Sequence, residues 1–168
     1  MGKLMSGVTA SRGSIDLLAE DFNRAGVTAR LSLDPNREIA EALRDESCVE
    51  GADNVFICEA LYLTGTSPWV NVGKVNVGKI LDTLRLLTIT NRDLELASTT
   101  GIQRAGYEFY VHARAHANCR RCRGKVAAAM QGIAPDEHIT YFCPTCQPGD
   151  HPPVLAHAAR RPASKERR

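Results

Sequence analysis

Two Cys-x-x-Cys pairs constrain this chain more than any other feature of its sequence. The first pair is Cys119 and Cys122, the second is Cys143 and Cys146, and twenty residues lie between the pairs. Each pair places two thiolates on one side of a tight turn. Two such turns facing each other across a hairpin supply the tetrahedral sulfur set that Zn²⁺ binds. Four protein ligands leave no position for water, so the spacing predicts one structural zinc ion rather than a hydrolytic site.

A redox dithiol and a pair of disulfides are the alternatives to zinc. A redox Cys-x-x-Cys usually occurs once, near a βαβ pattern that this sequence lacks, and secreted disulfide scaffolds are shorter and richer in cysteine. This chain has 168 residues and six cysteines, and the remaining two, Cys48 and Cys58, fall in helical or near-helical stretches. The pattern favours zinc and a reducing cytosol.

Basic residues cluster near the cysteines. The formal net charge of +2 is too small to indicate a polyanion partner by itself. A zinc ion bound by four thiolates carries a net negative charge, and basic residues surround the first cysteine pair. His112, His116 and His138 lie near the ribbon, and with four cysteines in register we expect them at the surface or facing phosphate rather than as metal ligands.

The sequence divides into a helical part and a cysteine-rich part. Helical periodicity dominates residues 14–104, and from Tyr107 the pattern changes to short β segments, so we place a zinc finger at residues 105–147. Residues 1–13 are rich in Gly, Ser and Thr, and residues 148–168 form a basic tail; both are expected to be disordered. The predicted fold is mainly α with a small β zinc ribbon.

Apolar spacing predicts the individual elements. Ile15, Leu18 and Phe22 fit one helix over residues 14–30, and the Asp-Pro-Asn run at 34–36 fits the start of a second helix that ends near Asp45. The elements predicted after these are a buried helix over 55–63 that stops at Gly65, a longer helix over 77–90, a strand over 109–111, and strands over 126–129 and 138–142 that flank a hairpin tip over 131–137.

The start of the third predicted helix is a candidate phosphate-binding position. A turn at Gly51 and a helix opening at Asn54 place free backbone N–H groups and a side-chain amide at one exposed point. These first N–H groups have no partner within the helix and suit a phosphate oxygen. Asp53-Asn54 is equally an ordinary helix cap, so the residues alone leave both interpretations open.

Residues 49–69, VEGADNVFICEALYLTGTSPW, resemble the helix–two-turn–helix of the formamidopyrimidine-DNA glycosylase/endonuclease VIII family. The family pattern is roughly Val-x-Gly-x-Gly-Asn-x-x-x-x-Glu-x-Leu-x-x-x-Gly-x-x-Pro. Residues 16–22 are similar to the family's interdomain segment, and residues 110–119 and 140–147 are similar to its zinc finger. The resemblance covers about residues 14–147 in the family's order, and it is greatest to actinobacterial endonuclease VIII-like members.

This resemblance implies a bacterial base-excision-repair protein that holds damaged double-stranded DNA between a helical module and a zinc-finger hairpin. It implies that Asn54, next to the Gly51 turn, holds a phosphate beside the lesion, and that the protein is cytoplasmic and nucleoid-associated. His138 occupies the position of the finger's phosphate-binding arginine. Basic residues of the ribbon complete the predicted DNA-binding set: Arg114, Arg120, Arg121, Arg123 and Lys125.

The sequence departs from the family at its start and beside the expected phosphate. Family enzymes begin with Pro-Glu after the initiator methionine, and the proline nitrogen forms a Schiff base at the sugar. Here Gly2 and Lys3 occupy those positions, and the N-terminal β-sandwich domain has no counterpart. Asp53 replaces the glycine before the asparagine. We therefore expect no catalytic residue in this chain and weaker phosphate contacts than in the family.

Three functions follow as hypotheses. The chain is a catalytically inactive DNA-binding protein, or it is the DNA-binding half of a split glycosylase/AP lyase whose catalytic domain is a separate chain. The third hypothesis is a protein-interaction module that has lost its DNA binding, which Asp53 and His138 favour.

Overall fold

The computed structural model describes residues 13–156, so the predictions of disorder for residues 1–12 and 157–168 lie outside it. The described part is mostly helical, with one two-stranded antiparallel sheet, in agreement with the predicted class. Its elements in chain order are α1 (Arg24–Leu31), α2 (Ile39–Arg44), α3 (Asn54–Leu63), a 3₁₀ turn (Val72–Lys74), α4 (Val77–Asn91), β1 (Ala127–Gln131) and β2 (His138–Phe142). Among the helices of this described range, none has the length and apolar content needed to cross a lipid bilayer.

Helix α3 is the central element, and its ends are the ones the sequence predicts. Asp53 caps its start by accepting a hydrogen bond from the Val55 N–H at 2.9 Å. At its end Gly65 has a φ of 67°, which favours glycine, and its N–H donates to the Tyr62 carbonyl while the Thr66 N–H donates to the Leu61 carbonyl. This pair of bonds is a Schellman motif, which satisfies carbonyls at the helix end.

The prediction of one helix over residues 14–30 is wrong in its first half. Helix α1 begins only at Arg24, because the Asn23 side chain accepts a hydrogen bond from the Gly26 N–H and caps the helix there. The preceding residues turn and pair with a distant segment instead. The Leu17 N–H donates to the Glu50 carbonyl, and the Glu50 N–H donates to the Ile15 carbonyl. Leu17 is fully buried through this pairing rather than through a helical stripe.

Two apolar clusters share α3. The larger cluster packs α3 against α1, α2 and α4, and Ile57 and Leu61 belong to it. The second cluster packs the opposite side of α3 against the cysteine-rich part, and Cys58 and Tyr62 belong to it. A helix that is apolar on nearly all sides is expected in such a buried position, so the predicted burial of α3 is confirmed.

The hairpin strands pair in the predicted region, with Ala127 opposite Phe142 and Gln131 opposite His138. Gln131, predicted to lie in the hairpin tip, is instead the last residue of β1 and is buried. Residues 148–156, predicted as part of a disordered tail, lie against the hairpin instead. The Leu155 N–H donates to the Ala128 carbonyl on β1 at 2.8 Å, because the sheet has only two strands and leaves β1 with a free edge.

Candidate metal centre and nucleic-acid interface

The four predicted zinc ligands converge at the base of the hairpin. The first turn is closed by the Arg123 N–H donating to the Cys119 carbonyl at 3.0 Å. The second is closed by the Gln147 N–H donating to the Cys143 carbonyl at 2.9 Å. The hairpin holds the two turns face to face, and the ligand sulfurs of Cys119, Cys122, Cys143 and Cys146 all lie within 4.8 Å of one another.

The sulfur positions fit a tetrahedral zinc ion. The Sγ atoms of Cys119 and Cys146 are 3.8 Å apart, and those of Cys122 and Cys143 are 3.5 Å apart. A tetrahedron with zinc–sulfur bonds of about 2.3 Å has edges of about 3.8 Å. A disulfide would need about 2.05 Å between sulfurs. The cluster therefore has the donors and spacing of a closed tetrathiolate site and not those of two disulfides.

The thiols differ in how readily they ionise. Burial raises the pKa of the Cys119 thiol, but hydrogen bonds from the Tyr62 hydroxyl and from the backbone of Cys122 and Arg121 outweigh it and lower the pKa to about 6. Burial, followed by the neighbouring thiols, raises the pKa of Cys146 to about 12. The Cys119 thiolate thus forms easily, and its negative charge disfavours ionisation of the neighbouring Cys146 thiol. A divalent cation removes this opposition, because metal-bound thiols are deprotonated.

Asn54 lies at the start of α3, as predicted, but its side chain is already engaged. Its Nδ2 donates to the Ile139 carbonyl on β2 at 3.0 Å, and its Oδ1 accepts from the Arg44 guanidinium at 2.8 Å and 3.1 Å. The amide therefore joins the helical part to the hairpin. Only the backbone N–H groups of the first turn of α3 remain for an anion, and the Asp53 carboxylate stands beside them and takes one of them.

The other two residues predicted at this end are Gly51 and His138. Gly51 is exposed, has a φ of 79°, and its turn lies against the Asp16 carboxylate. His138 is half-buried at the start of β2, and its Nδ1 is buried without a hydrogen-bond partner among residues 13–156. We call this region, formed by residues 131–138 with Asn54, the tip end.

The predicted basic residues lie at the opposite end of the hairpin, around the cysteine turns, which we call the knuckle end. Arg114 and Arg120 are tied to the loop, since Arg114 donates to the carbonyls of Tyr110 and Asn118, and Arg120 donates to the carbonyl of Phe109. The other three side chains are exposed: Arg121 lies over the Tyr62 ring, Lys125 donates to Asn118 Oδ1, and Arg123 projects from a turn with a φ of 68°.

The predicted DNA-binding set therefore splits into two groups. His138 begins β2 and Cys143 follows its last residue. A strand of five residues is about 16 Å long, so this distance separates the two ends of the hairpin. Helix α3 runs along the same direction, with Asn54 beside Ile139 at one end and Tyr62 beside Cys119 at the other. The structure brings Asn54 and His138 together at the tip end, and it keeps the arginines and Lys125 apart from them.

No family model matches the sequence, but comparison with individual proteins finds relatives. The chain is 37% identical over 150 residues to the "Probable endonuclease 8 2" of Streptomyces coelicolor, a match that covers 88% of the chain and 54% of the relative. It is 32% identical over 133 residues to the "DNA-(apurinic or apyrimidinic site) lyase Nei2" of Mycolicibacterium smegmatis, which covers 79% of the chain and 51% of the relative. The chain is a homologue of the formamidopyrimidine-DNA glycosylase/endonuclease VIII family.

The fold of the chain agrees with the sequence match. It is similar to the formamidopyrimidine-DNA glycosylase of Lactococcus lactis in a complex with DNA containing FAPY-dG, with a TM-score of 0.64 and 21% identity over 80% of the chain and 50% of that protein. The same enzyme bound to DNA with an AP site gives a TM-score of 0.63. The homologue spans about half the length of the curated relatives it matches.

Sequence reasoning missed two residues that organise the site. Glu59 is fully buried, and its carboxylate accepts hydrogen bonds from the backbone N–H groups of Tyr110, Val111 and His112 and from the Thr99 hydroxyl. These bonds explain why the predicted strand over 109–111 is wrong, since its N–H groups bind a side chain rather than another strand. A lone acidic residue on an otherwise apolar helix was the available signal.

Arg44 is the second missed residue. Its side chain is only 8% exposed and lies at the end of α2. Besides Asn54, its guanidinium contacts the Glu41 carboxylate at 2.7 Å, Thr140 Oγ1 at 2.7 Å and Gln131 Oε1 at 3.1 Å. Arg44 therefore joins α2, α3 and both strands. Nothing in the local sequence distinguishes it from a solvated arginine.

Proposed function

We propose that this chain is a zinc-containing DNA-binding protein related to base-excision-repair glycosylases and AP lyases. The observation that carries the proposal is the closed four-cysteine cluster in a fold similar to that of a glycosylase described in complexes with damaged DNA. The proposed partner is double-stranded DNA, including DNA that contains a lesion. Such contacts are mainly to phosphates, which position a protein without reading sequence.

The helical part supplies the motif in this proposal. Helix α2, the turns over 45–53 and helix α3 form the proposed helix–two-turn–helix. The N–H groups of Cys48 and Val49 bond to the Asp45 carbonyl and fold the first turn, and the positive φ of Gly51 redirects the chain into α3. Arg44 and Asn54 then hold this motif against the hairpin by hydrogen bonds.

Zinc has a structural role in this proposal. The four cysteines would hold it, and the ion would keep the two turns together at the base of the hairpin. Since all four positions are filled by protein, the site offers no place to activate water. Zinc of this kind contributes folding free energy directly, on the order of 10 kcal/mol in small modules.

We propose that the 168-residue polypeptide binds DNA without cleaving it. The family's chemistry uses an amine that attacks the sugar, and such an amine needs a lowered pKa and a fixed position beside its target. Every lysine in the described range is exposed to solvent, so none is held in the buried, fixed position that such an amine needs. Sodium borohydride should therefore trap no covalent adduct between this polypeptide and a duplex with an abasic site.

A second candidate is the DNA-binding half of a split lyase. It is favoured by the homology to relatives about twice as long, one of which is named a DNA-(apurinic or apyrimidinic site) lyase. A separate chain would then supply the attacking amine. Adding the catalytic half of a related enzyme should restore borohydride trapping if this candidate is correct, whereas the chain alone should stay inactive.

Two measurements test the main proposal. Metal analysis of the purified chain should give one zinc per molecule. Fluorescence anisotropy at low salt should show saturable binding to a duplex, with tighter or equal binding to a duplex that carries an abasic analogue. Absence of binding to both duplexes by a zinc-loaded, folded chain would reject the proposal and favour the protein-interaction hypothesis.

A further inference from the structure

The knuckle end carries a concentration of positive charge that the fold does not neutralise. Between residues 104 and 125 the sequence has six arginine and lysine side chains and one acidic residue, Glu108. A zinc tetrathiolate subtracts two charges and the buried Glu59 carboxylate subtracts one, which still leaves an excess of about two positive charges. Three of these cations, Arg121, Arg123 and Lys125, follow within a few residues of Cys119 and are exposed.

Carboxylates do not pair with these cations. The ion pairs within residues 13–156 are Arg24–Asp82, Arg37–Asp45, Arg44–Glu41 and Arg92–Asp93, and all of them lie in the helical part. The partners of Arg114, Arg120 and Lys125 are neutral carbonyl oxygens. Such partners fix a side chain in place and leave its charge uncompensated.

Aromatic rings hold several of these cations in position. The guanidinium groups of Arg104 and Arg120 both lie near the exposed Tyr107 ring, at 4.8 Å and 5.2 Å from its centre. The Arg121 guanidinium lies 4.7 Å from the centre of the Tyr62 ring. Arginine over an aromatic face keeps its charge and its outward donors while losing less freedom on binding. The surface is therefore arranged before any ligand arrives.

The tip end has the opposite character. Asp53 is exposed beside Asn54, and Asp136 and Glu137 are exposed directly before His138. The one arginine at this end, Arg44, is almost completely buried and its charge is paired with Glu41. A phosphate brought to Asn54 would meet the Asp53 carboxylate, and the guanidinium bonded to Asn54 is already paired with Glu41.

We infer that the phosphate-binding surface of this protein is the knuckle end, formed by Arg104, Arg121, Arg123 and Lys125, rather than the tip end around Asn54 and His138. The ligand is the phosphodiester backbone of a nucleic acid, whose successive negative charges these exposed cations can neutralise. This inference rests on the proposed DNA binding and assigns it to one surface. It replaces the part of the sequence prediction that centred on Asn54.

The test removes charge at each end while keeping the local structure. Arg123→Asn suits a position with positive φ, and Lys125→Gln can still donate to Asn118, so this pair removes two charges at the knuckle end. Lys74→Gln with Arg92→Gln removes two charges elsewhere; Lys74 lines the open cleft beside Gln131 on the tip side. Asp53→Asn removes the tip carboxylate and keeps an oxygen that can cap α3.

Anisotropy titrations with one duplex over a range of salt concentrations separate the outcomes. The knuckle pair should weaken binding by about tenfold or more at low salt and make the slope of log K against log salt shallower by about 1.8, since each phosphate contact contributes about −0.9. The Lys74/Arg92 pair and Asp53→Asn should each change affinity by less than about threefold.

The opposite pattern would overturn the inference. If Asp53→Asn tightens binding by tenfold while the knuckle pair leaves affinity and salt slope unchanged, phosphate binds at the tip end. If the unsubstituted, zinc-loaded chain fails to bind duplex at low salt, the proposed function itself fails, and the two failures are thus distinguishable. Circular dichroism and zinc content of each variant confirm that it is folded.

Discussion

The two ends of the zinc hairpin are held to the rest of the protein by different interactions. At the knuckle end, the Glu59 carboxylate binds three consecutive backbone N–H groups, and Tyr62 packs directly on the cysteine cluster. At the tip end, Arg44 and Asn54 form a side-chain network with the strands, in which the Arg44 guanidinium is bonded to Asn54, Gln131 and Thr140. The knuckle end thus combines rigidity with uncompensated charge, whereas the tip end uses its cation to hold itself together. A side chain that stabilises an interface in this way is not available to bind a ligand.

Loss of a zinc ligand gives the largest expected effect. Cys143→Ser should abolish zinc binding and unfold the hairpin and both cysteine turns, because structural zinc contributes on the order of 10 kcal/mol to such modules. The larger apolar cluster around α1, α2 and α4 does not include the cysteine turns and should stay folded. Metal analysis and amide hydrogen exchange measure the two parts separately.

Cys48→Ser is the matched control for this change. Cys48 lies outside the cluster, packed at the margin of the helical core, so its replacement should keep one zinc per chain. Recovery of a folded hairpin from Cys143→Ser, with unchanged exchange rates, would show that zinc does not hold the knuckle end.

Removal of the Glu59 charge should loosen the knuckle end while keeping the zinc ligands. Glu59→Gln leaves one acceptor oxygen where two served four donors, and it turns an amide NH₂ toward backbone N–H groups. Buried polar groups left without partners cost about 1–3 kcal/mol each, so we expect a loss of about 3 kcal/mol in the free energy of unfolding. Chemical denaturation measures the loss, and exchange of the amides of residues 110–112 should accelerate. Glu50→Gln, at an exposed position, should change stability little.

Replacement of Arg44 should loosen the tip end alone. Arg44→Met keeps much of the side-chain volume but removes every hydrogen bond to Asn54, Gln131 and Thr140, and it leaves Glu41 unpaired. We expect a loss of about 2 kcal/mol in the free energy of unfolding. Exchange should accelerate over residues 131–139, with zinc content and exchange at residues 110–112 unchanged. Equal acceleration at both ends would mean that the hairpin responds as one unit, contrary to the comparison.

A pH-dependent ion pair in the helical part gives the smallest expected effect. Hydrogen bonds from Ser47, followed by those from Arg37, lower the pKa of the Asp45 carboxyl to about 2. A carboxyl whose pKa is lowered in the folded state stabilises the protein above its ordinary pKa near 4, and this contribution disappears as pH falls toward 2. Asp45→Asn should cost about 1 kcal/mol at neutral pH, because the pair is partly exposed and screened by solvent.

The difference in stability between the two proteins should shrink as the pH falls from 4 to 2. Thermal denaturation of both proteins over this range measures it. The unsubstituted protein and Asp45→Asn should lose zinc equally in acid, so the difference between their stabilities reports on Asp45 alone. A difference that stays constant from pH 7 to pH 2 would show that Asp45 carries no lowered pKa.

The sequence predicted features whose signals are local. The two cysteine turns, the start of α3 at Asp53-Asn54 and its end at Gly65 each depend on a few adjacent residues. It could not predict contacts between distant segments. Glu59 binds backbone groups that are 51 to 53 positions further along the chain, and Arg44 contacts Thr140, which is 96 positions away. The local sequence around Glu59 or Arg44 therefore does not indicate either contact. The same limit explains residues 14–22, whose apolar spacing fits a helix but whose backbone pairs with Glu50.

The hydrogen bond from Leu155 to Ala128 has a practical consequence for anyone who shortens this protein. A hairpin of two strands has an outer row of unpaired backbone groups, and an uncovered row can pair with another molecule and begin aggregation. The segment after Gln147 covers part of that row, and it also places the His151 ring 4.9 Å from the Phe142 ring. A fragment cut directly after the last cysteine turn would keep every zinc ligand and still expose this edge. Its poor solubility could then be mistaken for a failure to bind metal.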